Sequence, residues 1–194
     1  MAINLAGSSS GSTILQANSA AGGTITLNNV DARAGGWVTH DANRSLVGAN
    51  SYTWSGIPGS AREIQLCFYR VSMNTSTNGG RYNVRVGDGG INTSSIYAWF
   101  TSYNAGSKQE TASDNKWLLT HTDHTGGSHI ETGTMQLQRV SGGYWFMTAW
   151  FYDLSNLHWR SNGVWRSNSS ITHLQWYAPA NSFNESSLFS VLYR

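Results

Sequence analysis

The segment Thr120-His-Thr-Asp-His-Thr-Gly-Gly-Ser-His-Ile-Glu131 packs three histidines and two carboxylates into a short stretch. Imidazole and carboxylate groups suit zinc or nickel, so His121, Asp123, His124, His129 and Glu131 are the residues that would hold a metal. Against that chemistry, nothing here matches His-Glu-x-x-His, and Gly126-Gly127 favours a flexible polar loop over a preorganised ligand set. No metal and no other cofactor is therefore expected, unless histidines from several copies of the chain meet on a symmetry axis. A second constellation is Asn156-Leu-His-Trp-Arg-Ser-Asn-Gly-Val-Trp-Arg166, a turn-rich word with two indoles and two guanidinium groups. An exposed indole can cover the C–H face of a sugar ring while polar neighbours take its hydroxyls. Trp159, Arg160, Trp165 and Arg166 are accordingly the ligand-binding candidates, the alternative being that both rings pack under a loop.

Catalysis is harder to assemble. Gly87-Asp-Gly-Gly90 is rich in glycine but joins two strand-like words, whereas a phosphate cradle needs a helix N-terminus behind it. Asp114 with Asp123 or Glu131 is a conceivable glycosidase pair, but with ten acids in the chain no pairing stands out. The six histidines and the many serines permit a hydrolytic triad only on paper. No catalytic residue is assigned, and the expected class is a non-enzyme.

The elements that must position these side chains are strands. From about residue 33 the chain is rich in aromatics, and alternating words recur between turn words such as Gly87-Asp-Gly-Gly90, Ser141-Gly-Gly143 and Ser161-Asn-Gly163. Strands are expected at 36–39, 51–54, 63–71, 82–86, 95–100, 117–120, 134–140, 145–152, 171–176 and 188–193. Many short strands with no long helical period read as an antiparallel sandwich or barrel. The stretch 54–91 reads as a hairpin with a polar loop, and Met135–Val140 with Tyr144–Tyr152 as a second hairpin. The latter's second arm is apolar almost throughout, as for a strand covered on both faces, one of them by another subunit. Trp99, Trp117, Trp145, Trp150 and Trp176 fall in strand patterns and are expected in the core, as is the lone Cys67.

Composition bounds the rest. The 194 residues suit one main domain with a short appended segment. Only 11% of residues are charged, against about a quarter in an ordinary domain. Weak self-repulsion of this kind favours assembly. A net charge of +2 with no Lys/Arg run gives no footprint for nucleic acid. No apolar run approaches the ~20 residues that span a bilayer, so no membrane partner is expected. No secretory signal is visible at residues 1–12. Residues 1–30 hold neither an aromatic nor a charged residue, and carry two short strand-like words, Thr13–Gln16 and Thr24–Leu27. They read either as a disordered leader or as an arm that adds to a neighbour's sheet, ahead of a sandwich domain at 31–194.

One stretch also resembles something known. Gly56-Ile-Pro58, a short basic segment, an alternating strand, an Asn/Ser/Thr/Gly loop and then Val84-Arg-Val-Gly-Asp-Gly-Gly90 is similar to a module of tail-fibre and other virion surface proteins of tailed bacteriophages. The end, Phe183 to Tyr193, resembles that module's closing element in part, with Ser186 in place of its glycine and Arg194 in place of its acidic end. The resemblance implies an all-β, jelly-roll-like antiparallel β-sandwich with an extended N-terminal arm, located at the virion surface. It further implies a homotrimer whose partners are other virion proteins of capsid or tail. Two roles follow: a surface fibre or capsid decoration protein attached through its arm, or a receptor-binding fibre or lectin-like module recognising host surface glycans.

Overall fold

In the computed structural model the described residues are 36–73, 81–103, 107–120, 130–140, 143–153, 158–179, 182–184 and 187–194. They lie in one compact unit, Ala34–Arg194. Among them every regular element is a strand, and no helix is long and apolar enough to cross a membrane. In chain order these are β1 (Val38–Ser45), β2 (Ser51–Ser55), β3 (Glu63–Val71), β4 (Asn83–Gly87), β5 (Tyr97–Tyr103) and β6 (Ser107–Asp114). There follow β7 (Trp117–Leu118), β8 (Glu131–Arg139), β9 (Trp145–Asp153), β10 (His158–Trp165), β11 (His173–Tyr177) and β12 (Leu188–Tyr193).

The strands form two antiparallel sheets, packed as a sandwich. The larger runs β1-β12-β3-β8-β9-β10-β5-β6 and the smaller β2-β11-β4-β7. Without β5, β6, β9 and β10, what remains is β1-β12-β3-β8 facing β2-β11-β4-β7. These eight strands switch sheets as nested Greek keys do, which is the jelly-roll arrangement. The hairpins β5–β6 and β9–β10 are additions, and both extend the same side of the large sheet. The expected all-β, jelly-roll-like sandwich is thus the observed fold, while the N-terminal arm, residues 1–30, lies outside the described residues.

Sequence alternation located strands better than it located their partners. The stretch 54–91 is not a hairpin: β3 pairs with β12 and β8, while β4 pairs with β11 and β7 in the other sheet. Both strands bury one face, Ile64, Leu66 and Phe68 on β3 and Val84 and Val86 on β4. Alternation of that kind marks a face turned to the core and leaves the hydrogen-bonding neighbour open. The second expected hairpin is present, with β8 and β9 in continuous register from Glu131↔Asp153 to Arg139↔Trp145. Cys67 is not a core residue. It shares the outward parity of Gln65 and is half-buried, while Phe68 takes the inward place. Beyond Phe68 the register slips, and Arg70 sits at φ 51°, so Tyr69 and Arg70 both face out before Val71 returns inward. A bulge of this kind adds one residue and restores the pattern.

Buried polar groups tie the added hairpins to the small sheet. The Tyr97 hydroxyl on β5 lies 2.8 Å from the carbonyls of Val86 and Asn92 and accepts from the Val86 N–H at 3.1 Å. Thr101 on β5 and Ser161 on β10 both donate to the Leu119 carbonyl, at 3.0 and 2.8 Å. Each hydroxyl finds a backbone partner in the other sheet's loops or strands, so none is buried unsatisfied. Between them stands Trp117, edge-on to Tyr97 at 5.2 Å. Gly163 on β10 makes room for it, since a Cβ there would meet the indole at 2.5 Å. A glycine inside a strand here serves close packing rather than a turn.

Two aspartates each anchor an indole. Asp41 accepts from Trp54 Nε1 at 3.1 Å and from Arg44 at 2.8 Å, and Asp114 accepts from Trp99 Nε1 at 3.0 Å and from Lys116 at 3.1 Å. Burial pushes both carboxyls up, but for Asp41 the Arg44 guanidinium and the Trp54 N–H outweigh it. For Asp114 the Trp99 N–H and the Lys116 ammonium do the same. Both carboxyls end below the usual aspartate value of 3.8. A carboxylate whose folded pKa is depressed stabilises the fold above its unfolded pKa, and that contribution vanishes as pH falls through the folded value. Their contribution to thermal stability is therefore expected to be full and constant near neutral pH and to fall away below about pH 4. Asp114→Asn should flatten that acid limb in a pH series of melting curves; an unchanged limb in both Asp114→Asn and Asp41→Asn would contradict the assignment.

Candidate functional site

The ligand-binding candidates separate by strand parity. Residues 158–165 are not a turn-rich loop but strand β10, whose burial alternates regularly. Trp159 and Trp165 point into the sandwich, 3% and 1% exposed, where Phe151 stacks on Trp159 at 6.1 Å and Tyr97 lies 6.5 Å from Trp165. Neither ring can offer a face to a sugar, so for these two the expectation is corrected. The turn word Ser161-Asn-Gly163 misled because its glycine and serine serve Trp117 and the Leu119 carbonyl. Arg160 and Arg166 do reach the surface.

The exposed indole is Trp150, expected in the core and found 57% exposed. It lies on β9, where Trp145, Met147, Ala149 and Phe151 face inward and Phe146, Thr148, Trp150 and Tyr152 face outward. With a period of two, burial of one set exposes the other. In this single chain, then, the outer side of β9 is bare rather than covered. Cross-strand register places Arg160 beside Trp150, with Thr134 on the far side, and the guanidinium carbon lies 5.1 Å from the indole centroid. The neighbouring rows read His158–Tyr152–Thr132, Asn162–Thr148–Gln136 and Val164–Phe146–Gln138. The His158 and Tyr152 rings meet edge-on at 4.7 Å.

Beside this ladder the sheet surface forms a groove of about 460 Å³ over β5, β6, β9 and β10, its apolar walls made by Phe100, Phe146 and Val164 and its rim by Asn162, Arg166 and Glu110. A smaller hollow of about 230 Å³ continues past Phe146 to Tyr144 and Arg166. Among the described residues no carboxylate pairs with Arg160 or Arg166. The whole face belongs to the two added hairpins and the edge of β8. It combines exposed aromatic rings, hydroxyl and amide side chains and two cations on one sheet face, a composition suited to binding.

The metal candidates are not brought together. His121, Asp123, His124 and His129 lie outside the described residues. Glu131 opens β8 fully buried, opposite Asp153. Among the described residues no group of three or more His, Cys, Asp or Glu side chains is placed to hold a metal ion. Asp114 and Glu131 are no glycosidase pair. Four strand spacings separate β6 from β8, about 19 Å, and eight residues of register add ~26 Å along the strand, far beyond the ~5–9.5 Å such pairs need. Gly87–Gly90 is a turn leading from β4 towards β5, closed by the Asn92 N–H to the Val86 carbonyl at 3.0 Å.

No family model, no curated protein and no solved structure matches this chain. What fold and site define is a jelly-roll-like sandwich with an aromatic and basic outer face on its added strands.

Proposed function

We propose that the chain is a surface protein of a tailed-bacteriophage particle, a homotrimer held to its capsid or tail through residues 1–30. Its sandwich recognises the host surface and catalyses no reaction. The observation that carries the recognition role is the exposed Trp150–Arg160 pair, set among Thr132, Thr134, Thr148 and Asn162 on a sheet face with no partner in the single chain. Support for the virion setting comes from the Gly56–Gly90 resemblance and from a surface with few charges. A capsid decoration role is the second reading, favoured by the apolar end of the same face. Phe100, Phe146 and Val164 form a groove that a neighbouring subunit would cover.

Gold-labelled antibody on purified particles should mark the virion surface, and particles carrying Trp150→Ala should adsorb poorly to host cells. Particles without label, or normal adsorption by the variant, would remove the virion setting or the recognition role respectively. Light scattering of the purified protein at micromolar concentration is expected to give the trimer mass. A monomer would remove the trimer.

A further inference from the structure

The aromatic ladder and its cations together specify more than a generic surface grip. Phe146, Trp150 and Tyr152 stand on one side of one strand, so the ladder from Phe146 to Tyr152 is about 20 Å long. Tyr144 prolongs it at the hollow beyond Phe146. That length exceeds any single sugar ring, which leaves a terminal monosaccharide with most of the site unfilled. Between the rings lie Thr148, Asn162 and Gln136, hydroxyl and amide groups that exchange hydrogen bonds with hydroxyls.

Charge narrows the occupant further. Arg160 beside Trp150 and Arg166 beside Phe146 flank the ladder at two levels, and among the described residues neither has a carboxylate partner. Guanidinium groups present paired donors matched to a carboxylate. Glu110 is the acid that shares the groove, and it sits across it on β6, opposite Phe100. Arg160 and Arg166 therefore stand on the β9–β10 side of the groove, with Glu110 across it.

We infer that the outer face of β9 and β10 binds an extended acidic polysaccharide, laid along β9 with ring faces on Trp150, Tyr152 and Phe146 and sugar carboxylates on Arg160 and Arg166. The inference rests on the recognition role proposed above and names the ligand class for the same face. Single-stranded nucleic acid also offers anionic charge and flat rings, but the face supplies two cations spread over a long ladder rather than a basic track. A second copy of the chain would cover the apolar groove, but with ten acids in 194 residues it has few carboxylates to set against two guanidinium groups.

Calorimetric titration of the full-length protein tests this with a galacturonan hexamer, its methyl ester, galacturonic acid monomer, a neutral glucan hexamer and a short single-stranded oligonucleotide. The acidic hexamer should bind, the monomer should not, and esterification should weaken binding about tenfold or more, as loss of a charge-assisted contact does. Arg160→Gln should narrow the gap between the acidic hexamer and the ester, and Arg160→Gln combined with Arg166→Gln should close it, while leaving the ester unchanged. Trp150→Ala should weaken both by about tenfold. Equal binding of the glucan, or an Arg160→Gln variant that keeps the parent's full preference for acid over ester, overturns the acidic class and leaves host recognition standing. Binding of the oligonucleotide in preference to every saccharide overturns it in favour of nucleic acid. If no saccharide binds and Trp150→Ala or Phe146→Ala instead dissociates the assembly, the face is an interface between copies, and both the inference and the recognition role fall.

Discussion

Trp165→Ala is expected to destabilise the sandwich by about 3–5 kcal/mol, and Trp159→Ala by a comparable amount. Both rings are almost wholly enclosed, so truncation removes a large apolar surface and leaves a cavity that surrounding strands can fill only in part. For Trp165 the neighbours are constrained. Tyr97 is held by three short contacts to Val86 and Asn92, and Trp117 is seated against Gly163, so neither can swing into the gap. Trp150→Ala is the internal control: its ring is mostly in solvent and its Arg160 contact is worth about 0.5–1 kcal/mol at an exposed site. Denaturant titrations of the three variants should therefore divide sharply, two with midpoints far below the parent and one close to it. A Trp165→Ala protein as stable as the parent would contradict the burial described here. A Trp150→Ala protein as unstable as Trp165→Ala would mean the ring is covered in the assembled protein.

The exchange of roles among these tryptophans shows where sequence reading reached and where it stopped. The bounds of β3 and β12 were legible to the residue, because Ile64 and Leu66, and Phe189 and Val191, recur at every second position, although on β3 Cys67 was placed in the core where Phe68 stands. β9 was legible as a strand, but an almost unbroken apolar run hides which parity faces in. Thr148 was the available clue, since a single polar residue among apolar ones marks the outward set that also holds Trp150. β10 was hidden for the opposite reason: Ser161, Asn162 and Gly163 carry turn chemistry, and only the three-dimensional demand of Trp117 explains a glycine there. β6, Ser107–Asp114, was missed altogether. It is an edge strand of small polar and charged residues, the composition that protects an edge from further pairing and also erases the apolar signal.

The misses that bear on the site fall on one region. β6, β9 and β10 account for the misread site, while among the jelly-roll strands β1, expected at 36–39, runs Val38–Ser45, β3 and β4 do not pair as expected, and Cys67 on β3 faces out. A strand in the jelly-roll core has one face buried by the other sheet and the other face in solvent, so its pattern is binary. The added hairpins carry a second constraint on the outer face, and aromatic residues appear on both sides. Local disagreement between pattern and burial is expected where a surface is shaped for contact as well as for folding. Sequence reading set indole beside guanidinium, and of its four candidates Arg160 and Arg166 reach the surface. The wrong indoles were paired with them, because adjacency in sequence was read in place of adjacency across β9 and β10.

Removal of residues 1–29 is expected to abolish attachment to the virion while leaving a folded sandwich. The named core side chains run from Leu46 to Val191, and residues 1–30 contain no aromatic ring and no charge. Loss of that segment removes nothing from the aromatic contacts among Phe68, Trp176, Phe189 and Trp54, nor from the Asp41 and Asp114 anchors. The melting temperature should accordingly shift by no more than a few degrees. Attachment is another matter. On the proposed attachment role, short alternating words such as Thr13–Gln16 and Thr24–Leu27, too short for a stable sheet alone, would gain their backbone hydrogen bonds by extending a partner's sheet. Without them the sandwich has no such backbone pairing to offer, and co-sedimentation with particles lacking the native copy should fall to background. A truncated protein that still co-sediments would place attachment on the sandwich itself, making the Phe100–Phe146–Val164 groove the first surface to mutate. A truncated protein that fails to fold would mean that the segment belongs to the core, and the division of the chain near residue 30 would have to be abandoned.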